Sequence, residues 1–320
     1  MTSVPENKVL AAPLAGVSDS VYRRWARRFG AGMVFTEMVS AEGLRRGDRK
    51  TESMLSFEDE ERPIGVQLFD DSPDAIADAA QIAQDRGFDI IDINLGCPAR
   101  KVVRKGAGAR LLRNPERAAR LVETAIEAVN ISVSVKMRSG WDEPEEIYLE
   151  LIPILADIGV DFITLHPRTR ESMFRGKSDW NKIRLAVKVS KVPVVGNGDI
   201  RTGRDAKRML DETGCSGVMI GRASLGYPWI FREVSNAISG RITDNRPSEE
   251  ERLRVCEDYI RELIDFYGER KGIFLARKHI IWFTKGLPGA KIIRERVFNA
   301  RNSSEVFGIL DQRKAESVAG

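Results

Sequence analysis

The chain has 320 residues, room for one large domain of about 250 residues plus a small one, or for two of medium size. Hydrophobic residues make up 42% and can fill a globular core; charged residues make up 31% yet leave a net charge of only +4, so any basic surface is local. Three cysteines (Cys97, Cys215, Cys256) are too few for a disulfide framework, and no apolar run approaches the ~18–20 residues of a membrane helix, which excludes disulfide-stapled and membrane-spanning classes. Residues 1–7 are polar and carry no signal-peptide core, so a cytoplasmic location without membrane attachment is expected.

Short runs rich in Val and Ile alternate with amphipathic stretches. Strands are predicted at residues 8–12, 33–35, 65–69, 90–94, 132–136, 162–166, 194–196 and 217–220. Helices are predicted at 18–29, 73–86, 114–129, 145–158, 179–189 and 203–212, two of them opened by Ser72-Pro73 and Asn114-Pro115. Residues 40–62 form a long charged connection with a weak helical pattern. Eight β/α repeats predict an α/β fold, a closed (β/α)8 TIM barrel. An open doubly wound sheet would show a Gly-rich turn after the first strand, and Ala12-Pro13-Leu14-Ala15-Gly16 is not one. After a polar linker at 240–247, Ser248 with Glu250 and Glu251 opens a helical pattern that runs through Arg313. The division expected is a barrel at 1–240 and an all-α C-terminal domain at 245–320.

Barrel enzymes place their chemistry at strand C-termini. There the chain has Pro13-Leu14-Ala15, Thr36-Glu37-Met38, Gln67, Asn94 with Cys97, Lys136 with Arg138, His166-Pro167-Arg168-Thr169-Arg170, Gly196-Asn197-Gly198-Asp199 and Gly221-Arg222. The last two match the phosphate loops that barrels build after strands 7 and 8: glycines let backbone N–H groups approach an anion, and Arg222 can add a bidentate contact. Lys136 sits in an apolar strand, so it needs an anionic partner or a covalent role. His166, one of two histidines, reads as a ligand contact; no His/Cys spacing suggests a metal. Cys215 and Cys256 read as small buried hydrophobes. The glycine and proline flanking Cys97 point instead to an exposed thiol, protonated near pH 7 and able to act as a general acid. The segment after it carries Arg100, Lys101, Arg104, Lys105, Arg110 and Arg113 with no acid between them.

In this order the motifs resemble the tRNA-dihydrouridine synthases, from about residue 8 to about residue 300. The carriers are Ala12-Pro13-Leu14-Ala15-Gly16-Val17-Ser18-Asp19, Thr36-Glu37-Met38, Asn94-Leu-Gly-Cys-Pro98 with Lys101-Val102, Lys136-Met-Arg138, His166-Pro-Arg-Thr-Arg170, Gly196-Asn-Gly-Asp-Ile200, Met219-Ile-Gly-Arg222 and Arg277-Lys278-His279. A bacterial branch of the family is nearest in likeness. The resemblance implies a barrel plus helical domain that reduces the C5–C6 bond of uridines in tRNA, using FMN recharged by NADPH. It implies that Cys97 gives the proton to C5, and that Pro13, Leu14, Ala15, Gln67, Lys136 and His166 surround the flavin ring and ribityl chain. Asn197, Gly198, Asp199, Gly221 and Arg222 would hold its phosphate, while Asn94 and Arg168 would engage flavin or substrate.

A tRNA substrate gives the basic segment a purpose, with Lys101 and Arg104 on its backbone. Residues 271–300 add seven Lys/Arg against one acid, among them Lys278 and Lys285, as a second RNA contact. The interleaved Phe274, Trp282, Phe283 and Phe298 read as core. No stable protein partner is implied. Four departures from the family's pattern stand out: Arg110 in place of a small residue, Leu14 in place of methionine, Pro167 in place of glycine and Phe283 in place of tyrosine. The competing readings are an FMN-dependent reductase of a free pyrimidine, of the dihydroorotate dehydrogenase kind, a Schiff-base lyase using Lys136, and an RNA-binding protein without catalysis.

Overall fold

Eight parallel strands follow one another around a barrel in the computed structural model, which describes residues 4–144, 146–241 and 246–319. They are β1 Val9–Ala11, β2 Val34–Ser40, β3 Ile64–Phe69, β4 Ile90–Leu95, β5 Ser132–Arg138, β6 Phe162–His166, β7 Val194–Asn197 and β8 Gly217–Ile220. From β2 to β8 each strand pairs with the next, β1 pairs with β8, and a bridge between Leu10 and Met33, just ahead of β2, closes the ring. All eight coincide with the predicted strands, β2 and β5 running further at their C-terminal ends.

Helices return the chain between strands, and their starts are chemically marked. The Ser72 hydroxyl accepts the Ala75 N–H (3.3 Å) ahead of Pro73–Asp85, and the Asn114 side chain accepts the Arg117 N–H (2.9 Å) ahead of Pro115–Ala128. Such caps contribute about 1 kcal/mol each. The helix predicted at 145–158 is Tyr148–Asp157; Glu145 lies outside the described residues. The connection at 40–62 holds two short helices, Ala41–Arg45 and Arg49–Glu52, and two 3-10 turns. Glu61, fully buried, pins it by accepting from Ser20 Oγ (2.5 Å) and Arg23 Nε (2.5 Å).

The barrel interior has two layers. Leu10, Ala12, Met33, Phe35, Ile90, Phe162, Val195 and Met219 form an apolar lower layer. Above it, on the same inward faces, come Gln67, Asp92, Asn94, Ser134, Lys136, Thr164 and Asn197, because side chains two apart on a strand share a face. The polar layer thus opens toward the strand C-termini. In β2 the alternation breaks: Phe35 pairs with Gly65 and Met38 with Gln67, so a bulge absorbs one extra residue.

Residues 222–230 group with 243–320 as a second compact unit, and 231–242 group with the barrel. The second unit holds helices Glu249–Tyr267, Glu269–Phe283, Ala290–Asn299 and Ser303–Ala319. The Ser248 hydroxyl caps the first by accepting the Glu251 N–H (3.1 Å), and Trp229 Nε1 donates to Glu251 (2.9 Å). Leu253, Ile260, Ile280, Phe283 and Leu310 form its core. Of the linker expected at 240–247, residues 242–245 lie outside the described residues. Among the described residues no helix is long and apolar enough to cross a membrane.

Candidate active site

Cys97 stands two residues beyond β4, in a loop built around one side-chain oxygen. Asn94 Oδ1 accepts the N–H groups of both Gly96 (3.1 Å) and Cys97 (2.8 Å). The Asn94 amide donates to Gln67 Oε1 (2.7 Å), the Gln67 amide donates to Asp92 Oδ2 (2.6 Å), and Ser134 Oγ donates to Asp92 Oδ1 (2.8 Å). This buried chain crosses three neighbouring strands. Lys136, in register with Asn94 and half-buried, donates from Nζ to Asn197 Oδ1 (3.2 Å); the Asn197 amide donates to the Met219 carbonyl (2.8 Å). The structure therefore brings Gln67, Asn94, Cys97, Lys136 and Asn197 together at the barrel mouth.

The exposure expected of Cys97 is not found. Cys97 is 8% exposed and counts as buried, like Cys215 and Cys256. The reason is the segment that follows. Gly108, at φ +61°, turns the chain back so that the Ala109 N–H reaches the Cys97 carbonyl (3.1 Å), while Val102, Ala107, Met38 and Phe69 pack with Cys97. A Cβ at Gly108 would stand 2.9 Å from that carbonyl. Burial pushes the Cys97 thiol above its ordinary pKa, against the nearby Ala99 N–H, Arg138 and Lys136. The thiol is consequently neutral near pH 7, a proton donor rather than a nucleophile.

Asp92 and Ser134 were not singled out by motif. Their signal was periodicity: Asp92 precedes Asn94, and Ser134 precedes Lys136, by two residues, so each shares its partner's inward face. Burial raises the Asp92 carboxyl to about 6, against the bonds from Gln67 and Ser134 and the charge of Lys136. Burial lowers Lys136 to about 8, and the Asp92 charge opposes that fall. Arg138, also buried, donates to the carbonyls of Gly96 (3.0 Å), Thr169 (2.8 Å) and Met173 (2.8 Å), tying the thiol loop to the loop after β6.

The loops after β6 and β7 form a second constellation. Gly198 is at φ +128°, and a Cβ there would approach Ser178 Oγ to 2.4 Å. Asp199 accepts from the Ser178 N–H (2.7 Å) and pairs with Arg168 (2.7 Å). Arg168 is 4% exposed and also bonds Ser178 Oγ (2.8 Å), the Gly176 carbonyl (2.7 Å) and the Arg175 carbonyl (3.2 Å), with His166 Nε2 at 3.3 Å. Arg168 and Asp199 thus neutralise each other and shape the loops. After β1, Pro13 and Leu14 are half-buried and Ala15 is exposed. Arg222 opens the turn Arg222–Ser224, which groups with the helical unit.

The flavin mononucleotide that the resemblance implies fits these residues on three observations. The Lys136 ammonium, with three donors, suits an anionic ring edge. Thr164 Oγ1, fully buried and in register with Lys136, has no hydrogen-bond partner. At Gly221 a Cβ would meet nothing nearer than Ala12 Cβ at 3.8 Å and Leu14 at 3.9 Å, which leaves room for a group beside its Cα. No group of three or more His, Cys, Asp or Glu among the described residues could hold a metal.

Among the cations, Lys101 and Arg104 are exposed and make no ion pair among the described residues. In the helical unit Lys278 is half-buried and Lys285 exposed. That unit has its own cavity of ≈ 880 Å³, lined by Tyr267, Arg270, Lys271, Phe274, Arg277 and Arg301 among others. The expectation that its aromatics are core holds for Phe283 at 1% exposed. It fails for Phe274 at 69% and Phe298 at 53%, which stand on the surface.

Comparison with known proteins gives a consistent picture. The family profile described as dihydrouridine synthase matches residues 9–318. A protein named probable tRNA-dihydrouridine synthase 1 from Synechocystis is 39% identical over 96% of this chain and 86% of its own. A tRNA-dihydrouridine synthase B from Pasteurella multocida is 37% identical over 92% of this chain and 89% of its own. Among solved structures, morphinone reductase with tetrahydroNAD superimposes with TM-score 0.51 at 15% identity, covering 78% of this chain and 92% of that one. A variant of NCR from Zymomonas mobilis gives 0.52 at 18% identity, covering 76% and 90%. Those two likenesses are in fold.

Proposed function

The chain belongs to the dihydrouridine synthase family, and from that membership we propose that it reduces the C5–C6 bond of uridines in tRNA. The observation that carries the chemistry is a neutral thiol fixed by Asn94 at the mouth of a barrel, beside the Lys136 ammonium. FMN, when bound and recharged by NADPH, would supply the hydride for C6 of the uracil. Cys97 then holds the proton for C5. Its raised pKa keeps that proton on sulfur until carbanion character develops at C5. Asn94 fixes the backbone leading into Cys97, and Arg138 holds the same loop through the Gly96 carbonyl.

Lys136 would hold an anionic reduced ring edge against its positive charge. Gln67 and His166 would border the ring with Pro13, Leu14 and Ala15. Asn197, Gly198, Gly221 and Arg222 would receive the phosphate, with Asp199 orienting Arg168 behind them. A uridine in folded RNA is stacked and must be drawn out to reach the thiol. Lys101 and Arg104 beside the thiol loop, and Lys278 and Lys285 in the helical unit, supply backbone contacts that a free pyrimidine would not require. With tRNA as substrate, the reaction belongs in the cytoplasm.

The test is to incubate purified protein with NADPH and unmodified tRNA transcript and to quantify dihydrouridine by mass spectrometry of nucleosides. Protein lacking visible flavin absorbance, or flavin-loaded protein that reduces free uracil or orotate but not tRNA, would overturn the reading.

A further inference from the structure

Arg110, noted above as a departure from the family's pattern, turns out to have a partner. Its guanidinium carbon lies 5.4 Å from the centroid of the Trp141 ring. Arg113 lies 5.5 Å and Arg170 4.7 Å from the same ring. Three cations on one indole repel one another, and the ring's quadrupole offsets only part of that repulsion. Neither Arg110 nor Arg170 makes an ion pair with a carboxylate among the described residues, and the buried Arg170 Nε has no hydrogen-bond partner. The mechanism above uses none of these side chains.

We propose that Arg110, Arg113 and Arg170, gathered on Trp141, form a clamp for an RNA phosphodiester beside the Cys97 loop. The proposal rests on the tRNA reading and deepens it. A guanidinium held over an indole by a cation–π contact keeps N–H edges for bidentate bonding to phosphate, which Arg110 and Arg170 supply here. Three consecutive barrel loops meet at the ring. The loop after β4 brings Arg110 one residue beyond Ala109, whose N–H holds the Cys97 carbonyl. The loop after β5 brings Trp141 itself. The loop after β6 brings Arg170, whose N–H donates to the Gly140 carbonyl (2.9 Å), while the Glu171 N–H donates to the Trp141 carbonyl (3.0 Å). A phosphate seated there is therefore held in fixed relation to the thiol.

A dinucleotide reductant also carries phosphates. The extent of the charge favours RNA: the clamp continues a segment with six Lys/Arg and no acid from residue 100 to 113, a track suited to a polyanion.

The test measures affinity of the flavin-loaded protein for unmodified tRNA transcript across a potassium chloride series, in wild type, R110A/R170A, R110K/R170K and W141L. The expected result is roughly a tenfold or greater weakening in R110A/R170A near ~0.1 M salt, with the salt slope reduced by about one for each phosphate no longer neutralised. R110K/R170K should keep most of the slope and recover only part of the affinity. W141L should weaken binding with every charge retained. Unchanged affinity and slope in R110A/R170A, while wild type still forms dihydrouridine, overturns the clamp and leaves the tRNA reading standing. Wild type that neither binds tRNA nor forms dihydrouridine overturns both. If flavin reduction by NADPH slows in R110A/R170A while RNA affinity holds, the phosphates belong to the dinucleotide and the proposal fails.

Discussion

The lower and upper layers of the barrel interior meet on β4, β6 and β7, where they lie two residues apart, yet they solve opposite problems. Below, Phe35, Phe162, Met219 and their neighbours fill space, and Gly65 lacks a side chain because a Cβ there would come 2.5 Å from the Phe35 ring. Above, Gln67, Asp92, Asn94 and Ser134 satisfy one another, Lys136 bonds Asn197, and Thr164 Oγ1 is left without a partner. The floor gains stability from contact, while the mouth spends stability on holding polar groups in a chosen orientation.

Four substitutions probe that division, in order of expected effect. Cys97→Ala should lower the single-turnover rate of dihydrouridine formation by about 10²–10⁴-fold, with thermal stability and tRNA affinity nearly unchanged. A variant reacting at the wild-type rate would remove Cys97 as proton donor. Phe162→Ala should do the reverse: a loss of about 3–5 kcal/mol in denaturant unfolding, with any activity loss tracking the unfolded fraction. Asn94→Ala should damage both properties. It leaves the Gly96 and Cys97 N–H groups and the Gln67 carbonyl without their partner, at about 1–3 kcal/mol for each group left unsatisfied. The single-turnover rate should fall with it, and a stability loss at wild-type rate would show that the turn does not position the thiol.

The smallest effect is a pH dependence. The Asp92 carboxyl, at about 6 in the folded protein, lies above its ordinary 3.8. The stability linked to its protonation is therefore full below about 3.8 and is lost as pH rises through about 6. Asp92→Asn removes that dependence. The advantage of wild type over the variant in urea unfolding should shrink by about 2 kcal/mol between pH 4 and 7. A pH-independent difference would show that the carboxyl titrates normally. Lys136, lowered to about 8, behaves oppositely: its contribution is present above about 10.5 and is lost as pH falls through about 8, outside the window of this comparison.

The strands were legible because each is a short Val/Ile run bounded by turn residues, and their succession allowed only a few topologies. The thiol, Asn94, Gln67, Lys136 and Asn197 were legible because polar residues at the ends of apolar strands have few structural uses. The burial of Cys97 was not, because it depends on Gly108–Arg113 folding back across the loop, a long-range contact with no local signature. Phe274 and Phe298 were misplaced for a related reason. Composition identifies an aromatic without saying which face of its helix finds a neighbour. Trp141 passed unnoticed because its three arginines come from two other loops, separated from it by about thirty residues on either side.

The bulge in β2 has a consequence for how this chain can vary. It acts as a parity switch. With Phe35 paired to Gly65 and Met38 to Gln67, it returns Met38 to the inward register, where it packs with Cys97, Val102 and Ala107. Deleting the single residue Glu37 would leave Phe35 and Met38 two positions apart, so regular alternation would keep Met38 opposite Gln67 and facing inward. This strand can therefore lose its extra residue at the bulge and keep the side chains beyond it on the faces they now hold, whereas a one-residue deletion elsewhere in β2 would turn them over.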